Sequence, residues 1–558
     1  MFEQEIIKLL KKETKLKDIK LEIPPDLTMG DYAFPCFQLS KKYKKSPKDI
    51  ASDLQDKINL TKNIIKIQSE GPYLNFFINK SKLAENTIKQ ILKQKDKYGS
   101  SNIGKKKKVM IEFFHANTHK AVHIGHIRNI CLGESISRIL EFSRYKVIRV
   151  NYQGDIGPHV AKAIWGYLNT KEKLPKQQKG IWLGNLYALA NKESKKSKKI
   201  QQEINEINKK LYSKDPKITK IWKTTRNYCL KDFQEIYKDF GVKYNRLYFE
   251  SEVEKKGIQI AKQLLKKKIA KKSEGAIIVD LEKYNLGIYI ALTKEGHAVY
   301  HSKDLALAEL KTKEYKLDQS IHVVGKEQEL YFLQLFKTFE LIKSKLANKS
   351  KHLIYGLVML PEGKMSSREG NVVLYQDLIE KTLLATEEEI KKRHTRLSKK
   401  ELEKRKKQIA FAALKFSMLN RENNRQIIFD WDKAIQFEGE TGPYIQYAHA
   451  RINSILKKTK KPKKANYEVL QKPEETKLIQ LLEKFPKIVS DAAKNYKANT
   501  ISNYALNLAQ SFNEFYEKNQ ILKEEKEIKV ARLTLILAVK QVIKNALNLL
   551  AIEAPDKM

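Results

Sequence analysis

The chain has 558 residues, 41% hydrophobic and 31% charged, and its 109 basic against 65 acidic side chains leave a formal net charge of +44. That length suits three or four domains, each with its own core, and that apolar fraction excludes a disordered chain. So large a positive charge points to a polyanionic partner, because each phosphate neutralised releases condensed counterions; a lysine bias spread over every solvated face accounts for it equally well.

The opening "MFEQEIIKLLKKETK" reads as an amphipathic helix carrying acids, with no apolar core and no small-residue cleavage site, so no secretory leader is expected. Residues 1–103 alternate amphipathic helices with short β-like runs such as "YLNFFIN", and predict a compact α+β domain. "SSNIGKKKK" then reads as a linker. From 104 to 375 short apolar runs ("VMIEFF", "KVIRVNY", "IHVVG", "IYGLVML") alternate with helices. Runs apolar on both faces suit parallel strands covered by helices, so a Rossmann-type domain with insertions is expected there. Residues 376–558 read as an all-α domain, with Leu535, Val539, Val542, Ile543, Ala546 and Leu550 at helical spacing. The fold class expected is thus multidomain α/β. Cys36, Cys131 and Cys229 are too far apart for a disulfide framework or a C-x-x-C zinc site, which fits a reducing, cytoplasmic compartment. The run "LTLILAV" is far short of the ~20 residues needed to span a bilayer, so no membrane association is expected.

"HANTHKAVHIGHIRN" holds four of the eleven histidines, His115, His119, His123 and His126, at a spacing that suits metal ligands on one continuous helix. The local sequence opposes that reading. "VMIEFF" is strand-like, and Asn117 and Thr118 favour turns over helix interiors. The helix is therefore expected to begin near His123, giving a strand–loop–helix–strand crossover. Ligands in such a unit sit at the strand's carboxyl end, where free backbone N–H groups and the helix dipole favour phosphate. Gly125 permits close approach to the backbone. His123 and His126 can donate to phosphate oxygens as charge develops. His115 and His119 are then loop residues with no ligand role, and no protein-bound zinc is expected, since no Cys or clustered carboxylate completes a set.

His123-Ile124-Gly125-His126 resembles the first signature of class I aminoacyl-tRNA synthetases, and "KMSSREGN" (Lys364–Asn371) after the strand-like "IYGLVML" resembles the second. "GDYAFP", "GPYLNFF", "YFES", "VYHSKDLALAEL", "VVGKEQELYFLQLF", "FEGETGPYIQYAHARINSIL" and "LLAIEAPDKM" extend the likeness over nearly the whole chain, to the arginyl-tRNA synthetase family. The resemblance implies ATP-dependent ligation of L-arginine to tRNA(Arg) through an arginyl-adenylate, with ATP as its Mg2+ complex, in a monomer. It places His123, Gly125, His126, Lys364, Ser366 and Ser367 on ATP. It places Glu112, Asn117, Glu250, Tyr300, Asp304 and Gln328 on arginine, with Glu250 and Asp304 as the guanidinium acids. A forked, planar, permanently charged guanidinium suits carboxylates in fixed positions. Tyr444, Gln446, Arg451, Tyr516 and Met558 match tRNA-contacting places, where an aromatic ring can stack on an unstacked base. Ser367 stands where the family often carries a second lysine, and Lys120, three residues before His123, is the candidate to supply that cation.

Two alternatives stay open at this point. A class I synthetase for another amino acid would keep both signatures without needing acids at Glu250 and Asp304. A non-catalytic RNA-binding protein on the same scaffold would explain the charge but not the paired signatures.

Overall fold

Apolar runs of four to eight residues become strands when helices can cover both faces. In a computed structural model of the protein, which describes residues 2–361, 373–393, 396–460 and 465–558, the chain forms two units. One unites Met1–Tyr98 with Ile452–Phe485 and Gln510–Val542, the other Gly99–Arg451 with Pro486–Ala509 and Ile543–Met558.

In the first unit β1 (Tyr32–Pro35), β2 (Ile64–Glu70) and β3 (Tyr73–Ile78) form an antiparallel sheet in the order β1-β3-β2. Its core joins Phe34, Leu74 and Phe76 to Ile6 and Leu10 of the helix Phe2–Thr14 and to Ile50 and Leu54 of the helix Pro47–Lys57. The latter helix has Pro47 in its first turn and Ser46 accepting from the Asp49 amide, both favourable at a helix start. Distant segments complete the unit: the Tyr98 hydroxyl donates to Leu482 O at 2.8 Å, and Arg532 pairs with Glu475 at 2.7 Å. These compact units therefore cut the chain differently from boundaries at 103 and 375.

The second unit is built on five parallel strands: β4 (Lys108–Glu112), β5 (Lys146–Gln153), β6 (Arg246–Phe249) and, beyond an insertion, β10 (Gln319–Gly325) and β11 (Ser350–Tyr355). The insertion is an antiparallel sheet of β7 (Ala270–Ser273), β8 (Ala276–Asp280) and β9 (Ile288–Leu292). The main sheet runs β11-β10-β4-β5-β6, so the chain moves outward from β4 to β6, then restarts on β4's other side at β10. Ligands of such Rossmann-type sheets bind at that switch point, outside the carboxyl ends of the strands. Helix α1 (Ile124–Phe142) follows β4, and four helices between Pro158 and Phe240 separate β5 from β6. Helices α2 (Glu250–Lys266), α3 (Tyr300–Glu314) and α4 (Glu329–Leu341) follow β6, the insertion and β10. Met110, Val150, Tyr248, Val253, Leu305 and Phe332 share its core.

Three details depart from the sequence pattern. The stretch at 101–108 is packed rather than a free linker: Gly104 and Lys106 donate to Ser143 O and Arg144 O at 2.9 Å each. The edge strand β6 is too brief, and β7 too polar, to announce themselves, while β8 ("AIIVD") and β9 ("IYIAL") are apolar runs that pair antiparallel in the insertion instead of joining the parallel sheet. The mostly helical region after 375 also lends Ile427–Ile428 to a parallel pair with Val358–Met359. No helix among the described residues is long and apolar enough to cross a membrane.

Candidate active site

A cavity of about 650 Å³ opens at the switch point. Its wall takes Glu112 from β4, Tyr152 and Gly154 from the end of β5, Glu250 after β6, Gly325 and Gln328 after β10, and His123, Gly125 and His126 from the start of α1. The loop from β4 to α1 reaches it through three non-glycine residues in the left-handed region, Phe114 (φ 83°), His115 (φ 49°) and His119 (φ 63°). Such conformations cost energy and persist where the surroundings over-determine them. Asn129 supplies part of that support, accepting from the Phe114 amide at 2.6 Å and donating to Val323 O at 2.7 Å, across the crevice between β4 and β10.

His123 caps α1. Its Nδ1 accepts from the Gly125 amide at 3.2 Å, while His126 Nδ1 accepts from the His123 amide at 3.1 Å. A Cβ on residue 125 would lie 3.0 Å from the His123 ring, so any side chain there would push the ring by a few tenths of an ångström. Burial, reinforced by Lys120, pushes His123 down to about 4; burial and the neighbouring His123 hold His126 well below its ordinary value. Both rings are therefore neutral. With Nδ1 accepting, each carries its proton on Nε2, a donor available to an anion in the cavity. The four histidines do not share a helix. His119 is fully buried between the hydroxyls of Thr118 (2.9 Å) and Thr225 (2.8 Å), its amide donating to Cys229 Sγ, and burial pushes it down to about 3. It is an anchor of the loop and not a free loop residue. His115 does line the cavity, and its buried Nε2 has no hydrogen-bond partner among the described residues.

The acids stand opposite the histidines. Burial alone would raise Glu112, but Lys311 and His322 outweigh it and hold the carboxyl below the ordinary range; His322 Nδ1 donates to Oε1 at 3.0 Å and Lys311 pairs with Oε2. Glu250, at the N-terminus of α2, pairs through Oε2 with Lys303 at 3.0 Å. Burial raises Glu250 and Lys303 opposes the rise. Its Oε1 faces Gly154, where a Cβ would lie 3.1 Å from that oxygen and 2.5 Å from Asn117 Oδ1. Glycine at 154 leaves room for Asn117 and Glu250 beside its backbone, and its amide donates to Asn117 Oδ1 at 3.0 Å. Asp304 is half-buried, accepts from the Tyr331 hydroxyl, and is pushed up by desolvation to about 7. Tyr300 stands one helical turn before Asp304 on α3 and is 63% exposed at the cavity mouth.

The cavity thus gathers Glu112, Asn117, His123, Gly125, His126, Glu250, Tyr300, Asp304 and Gln328. Lys120 does not line it; its Nζ lies 5.4 Å from the centre of the Tyr187 ring, largely buried. Lys364, Ser366 and Ser367 fall outside the described residues. Lys303 pairs with Glu250 and Glu254 and not with its chain neighbour Asp304. Sequence reasoning missed Tyr152, Lys303, Lys311, His322 and Tyr331. The signal it could have used is the run of polar residues inside otherwise apolar strands and helices.

Residues 87–431 match the family described as class I (R) tRNA synthetases, catalytic domain; residues 1–78 match the arginyl tRNA synthetase N-terminal domain and 445–558 the DALR anticodon binding domain. The chain is 37% identical over 547 residues to the arginine–tRNA ligase of Clostridium perfringens, covering 96% of each, and 34% identical over 569 residues to that of Halothermothrix orenii, covering all of both. The chain belongs to the arginyl-tRNA synthetase family. Among solved structures, arginyl-tRNA synthetase of Thermus thermophilus superposes with a TM-score of 0.82 at 25% identity, covering 100% of this chain and 99% of that one. The Plasmodium falciparum enzyme shares the fold at 22% identity, with a TM-score of 0.78 and the same coverage.

Among the positions expected to face RNA, Gln446 is fully buried and donates to Gln408 O at 3.2 Å and Glu553 O at 2.8 Å, a tie to the C-terminal segment. His449 accompanies it, 2.8 Å from Pro555 O. Met558 packs with Tyr447 against Ile390, Ile409 and Phe437, and the Arg451 guanidinium lies 5.2 Å from the Tyr447 ring centre. Tyr444 is half-buried in the same unit. Tyr516, in the first unit, is half-buried beside Phe512, ring centres 6.1 Å apart.

Proposed function

We propose that this chain attaches L-arginine to tRNA(Arg) with ATP, and that it does so in the cavity at the carboxyl ends of β4, β5, β6 and β10. One observation carries the assignment of substrate to site: Glu250 and Asp304, two carboxylates from different helices, the first buried and the second half-buried, line the same cavity as the neutral pair His123 and His126. The arginine carboxylate attacks the α-phosphate of ATP, which enters as its Mg2+ complex, releasing pyrophosphate. A ribose hydroxyl of the tRNA's terminal adenosine then takes the arginyl group and AMP leaves. No covalent enzyme intermediate is needed; positioning and charge stabilisation carry the rate.

In this reading Glu250 and Asp304 hold the guanidinium, Tyr300 covers it, and Glu112, Asn117 and Gln328 hold the backbone end. His123, Gly125 and His126 contact ATP, with Lys364, Ser366 and Ser367 of the second signature and Lys120 completing its site. Tyr444, Arg451, Tyr516 and Met558 meet tRNA, and Gln446 acts through the C-terminal segment it holds. Residues 1–103, 104–375 and 376–558 serve as tRNA-contacting, catalytic and anticodon-binding modules; the three matched families support that order of modules, over 1–78, 87–431 and 445–558. The protein works as a cytoplasmic monomer. ATP–pyrophosphate exchange across the amino acids, with and without total tRNA, tests the assignment: exchange with arginine alone is expected, and exchange driven by another amino acid would sink it.

A further inference from the structure

Lys303 is the cation paired with Glu250, one of the two proposed guanidinium acids. It is buried, with Nζ 3.0 Å from Glu250 Oε2 and 2.8 Å from Glu254 Oε2. Glu250 and Glu254 are one turn apart on α2, a repulsive pair that a shared ammonium neutralises. Lys303 adjoins Asp304 on α3, yet Asp304 turns to Tyr331. Glu250 therefore enters the cavity with one oxygen taken. Its Oε1 has no hydrogen-bond partner among the described residues and sits beside Gly154 on the cavity wall.

We propose that Lys303 is a specificity-determining residue, whose ammonium group on Glu250 Oε2 reserves the cavity for a planar forked cation and excludes a point-charge ammonium. The inference rests on Glu250 and Asp304 being the guanidinium acids. A guanidinium spreads one charge over three nitrogens and can engage Glu250 Oε1 and Asp304 together, keeping clear of Lys303. A lysine or ornithine ammonium is compact and must settle on one carboxylate. On Glu250 it would set a second compact ammonium beside that of Lys303, which Glu250 and Glu254 already hold between them, in a buried site where like charges repel strongly. The resident lysine thus supplies the repulsive element that specificity requires beside the attractive one.

The test uses the full chain with ATP and tRNA(Arg), comparing kcat/KM for arginine, lysine and ornithine. Lys303→Gln, one atom shorter, keeps an N–H donor on the side facing the glutamates but removes the charge. It is expected to lower the arginine-to-lysine ratio at least tenfold, chiefly through KM, with the KM for ATP unchanged. Lys303→Arg is expected to keep the ratio within threefold. Lys303→Met follows Lys303→Gln if it folds. A folded Lys303→Gln that loses arginine activity with its ratio unchanged overturns the proposal and leaves Lys303 a packing residue. Glu250→Gln and Asp304→Asn, run alongside, separate the two failures. Normal arginine KM in both refutes the guanidinium assignment itself, whereas raised KM there with an unchanged ratio in Lys303→Gln refutes only the role of Lys303.

Discussion

Tyr331 donates its hydroxyl hydrogen to Asp304 across the floor of the cavity, and burial nevertheless holds that carboxyl up at about 7. A guanidinium binding there favours the ionised form, so below pH 7 a proton must leave before arginine settles. The sign follows: arginine affinity should be level above about pH 7.5 and fall as pH drops, approaching tenfold per unit once Asp304 is protonated in the free protein. Calorimetric titration of arginine from pH 5.5 to 8.5 checks this, with proton release largest near pH 6. In Asp304→Asn the dependence should vanish; a profile that survives that change assigns it to another group.

Removing either acid should hurt arginine far more than ATP. Asp304→Asn keeps the shape and the Tyr331 hydrogen bond, and Glu250→Gln leaves Lys303 with Glu254. Each removes one charged partner of the guanidinium, a loss of about 3–5 kcal/mol where a charge is left unpaired. The KM for arginine should rise by two orders of magnitude or more, with the KM for ATP within a few-fold of normal. Steady-state pyrophosphate exchange reads both constants from one set of rates.

His119→Ala should act on stability before activity. Its ring joins Thr118 to Thr225 inside the protein. Both hydroxyls keep a carbonyl partner, Gly154 O and Ile221 O, so the cost is the lost ring contacts and the cavity left in a buried site, about 2 kcal/mol or more. A fall in Tm of several degrees is expected, with no response to a zinc chelator in excess magnesium. An unchanged Tm together with lost exchange would instead place His119 in the chemistry.

On the tRNA side, Tyr516→Ala should weaken discrimination among tRNAs while leaving the slope of log K against log salt nearly unchanged, because stacking releases no counterions. Gln446→Ala should behave differently. It frees Glu553 O inside the protein, so thermal stability falls first, with tRNA affinity lost through the displaced C-terminal segment. Filter binding at several salt concentrations distinguishes the two. A steeper or shallower salt slope in Tyr516→Ala would make that residue part of the electrostatic contact.

The strands β4, β5, β10 and β11 and the start of α1 were legible because their cues are local: apolar runs, turn formers before His123, and a glycine after it. The contacts that tune the acids were not. Lys311 and His322 reach Glu112 from about 200 residues away in sequence, and Tyr331 reaches Asp304 from 27 residues on; no periodicity marks such pairings. The left-handed backbone at Phe114, His115 and His119 was equally hidden, since glycine is its usual sign and none is present there. The burial of Gln446 was hidden as well, since nothing in its local sequence marks an amide that turns inward to Gln408 O and Glu553 O.

Lys120 carries the last prediction. Ser367 leaves the second signature one lysine short, and Lys120 is the proposed replacement. Its charge is felt at the cavity, for it lowers His123 and His159 and is attracted by Glu250. Its own pKa is lowered by burial and by Lys162, as befits an ammonium group short of anions. It lies over the Tyr187 ring, on the helix Lys179–Lys196, which packs so closely that a Cβ on Gly184 would come within 3.0 Å of the Ala121 amide. The triphosphate would supply the missing anion, with the long side chain swinging off the ring to meet it. Lys120→Ala should then cut pyrophosphate exchange by about 10²–10³, the size seen when one transition-state donor is lost. Lys120→Arg should recover part of it, and Tyr187→Leu, which removes only the resting place, should change the rate a few-fold at most. If exchange survives Lys120→Ala but collapses with Tyr187→Leu, the lysine is an ornament of the loop and the cation facing the phosphates lies elsewhere.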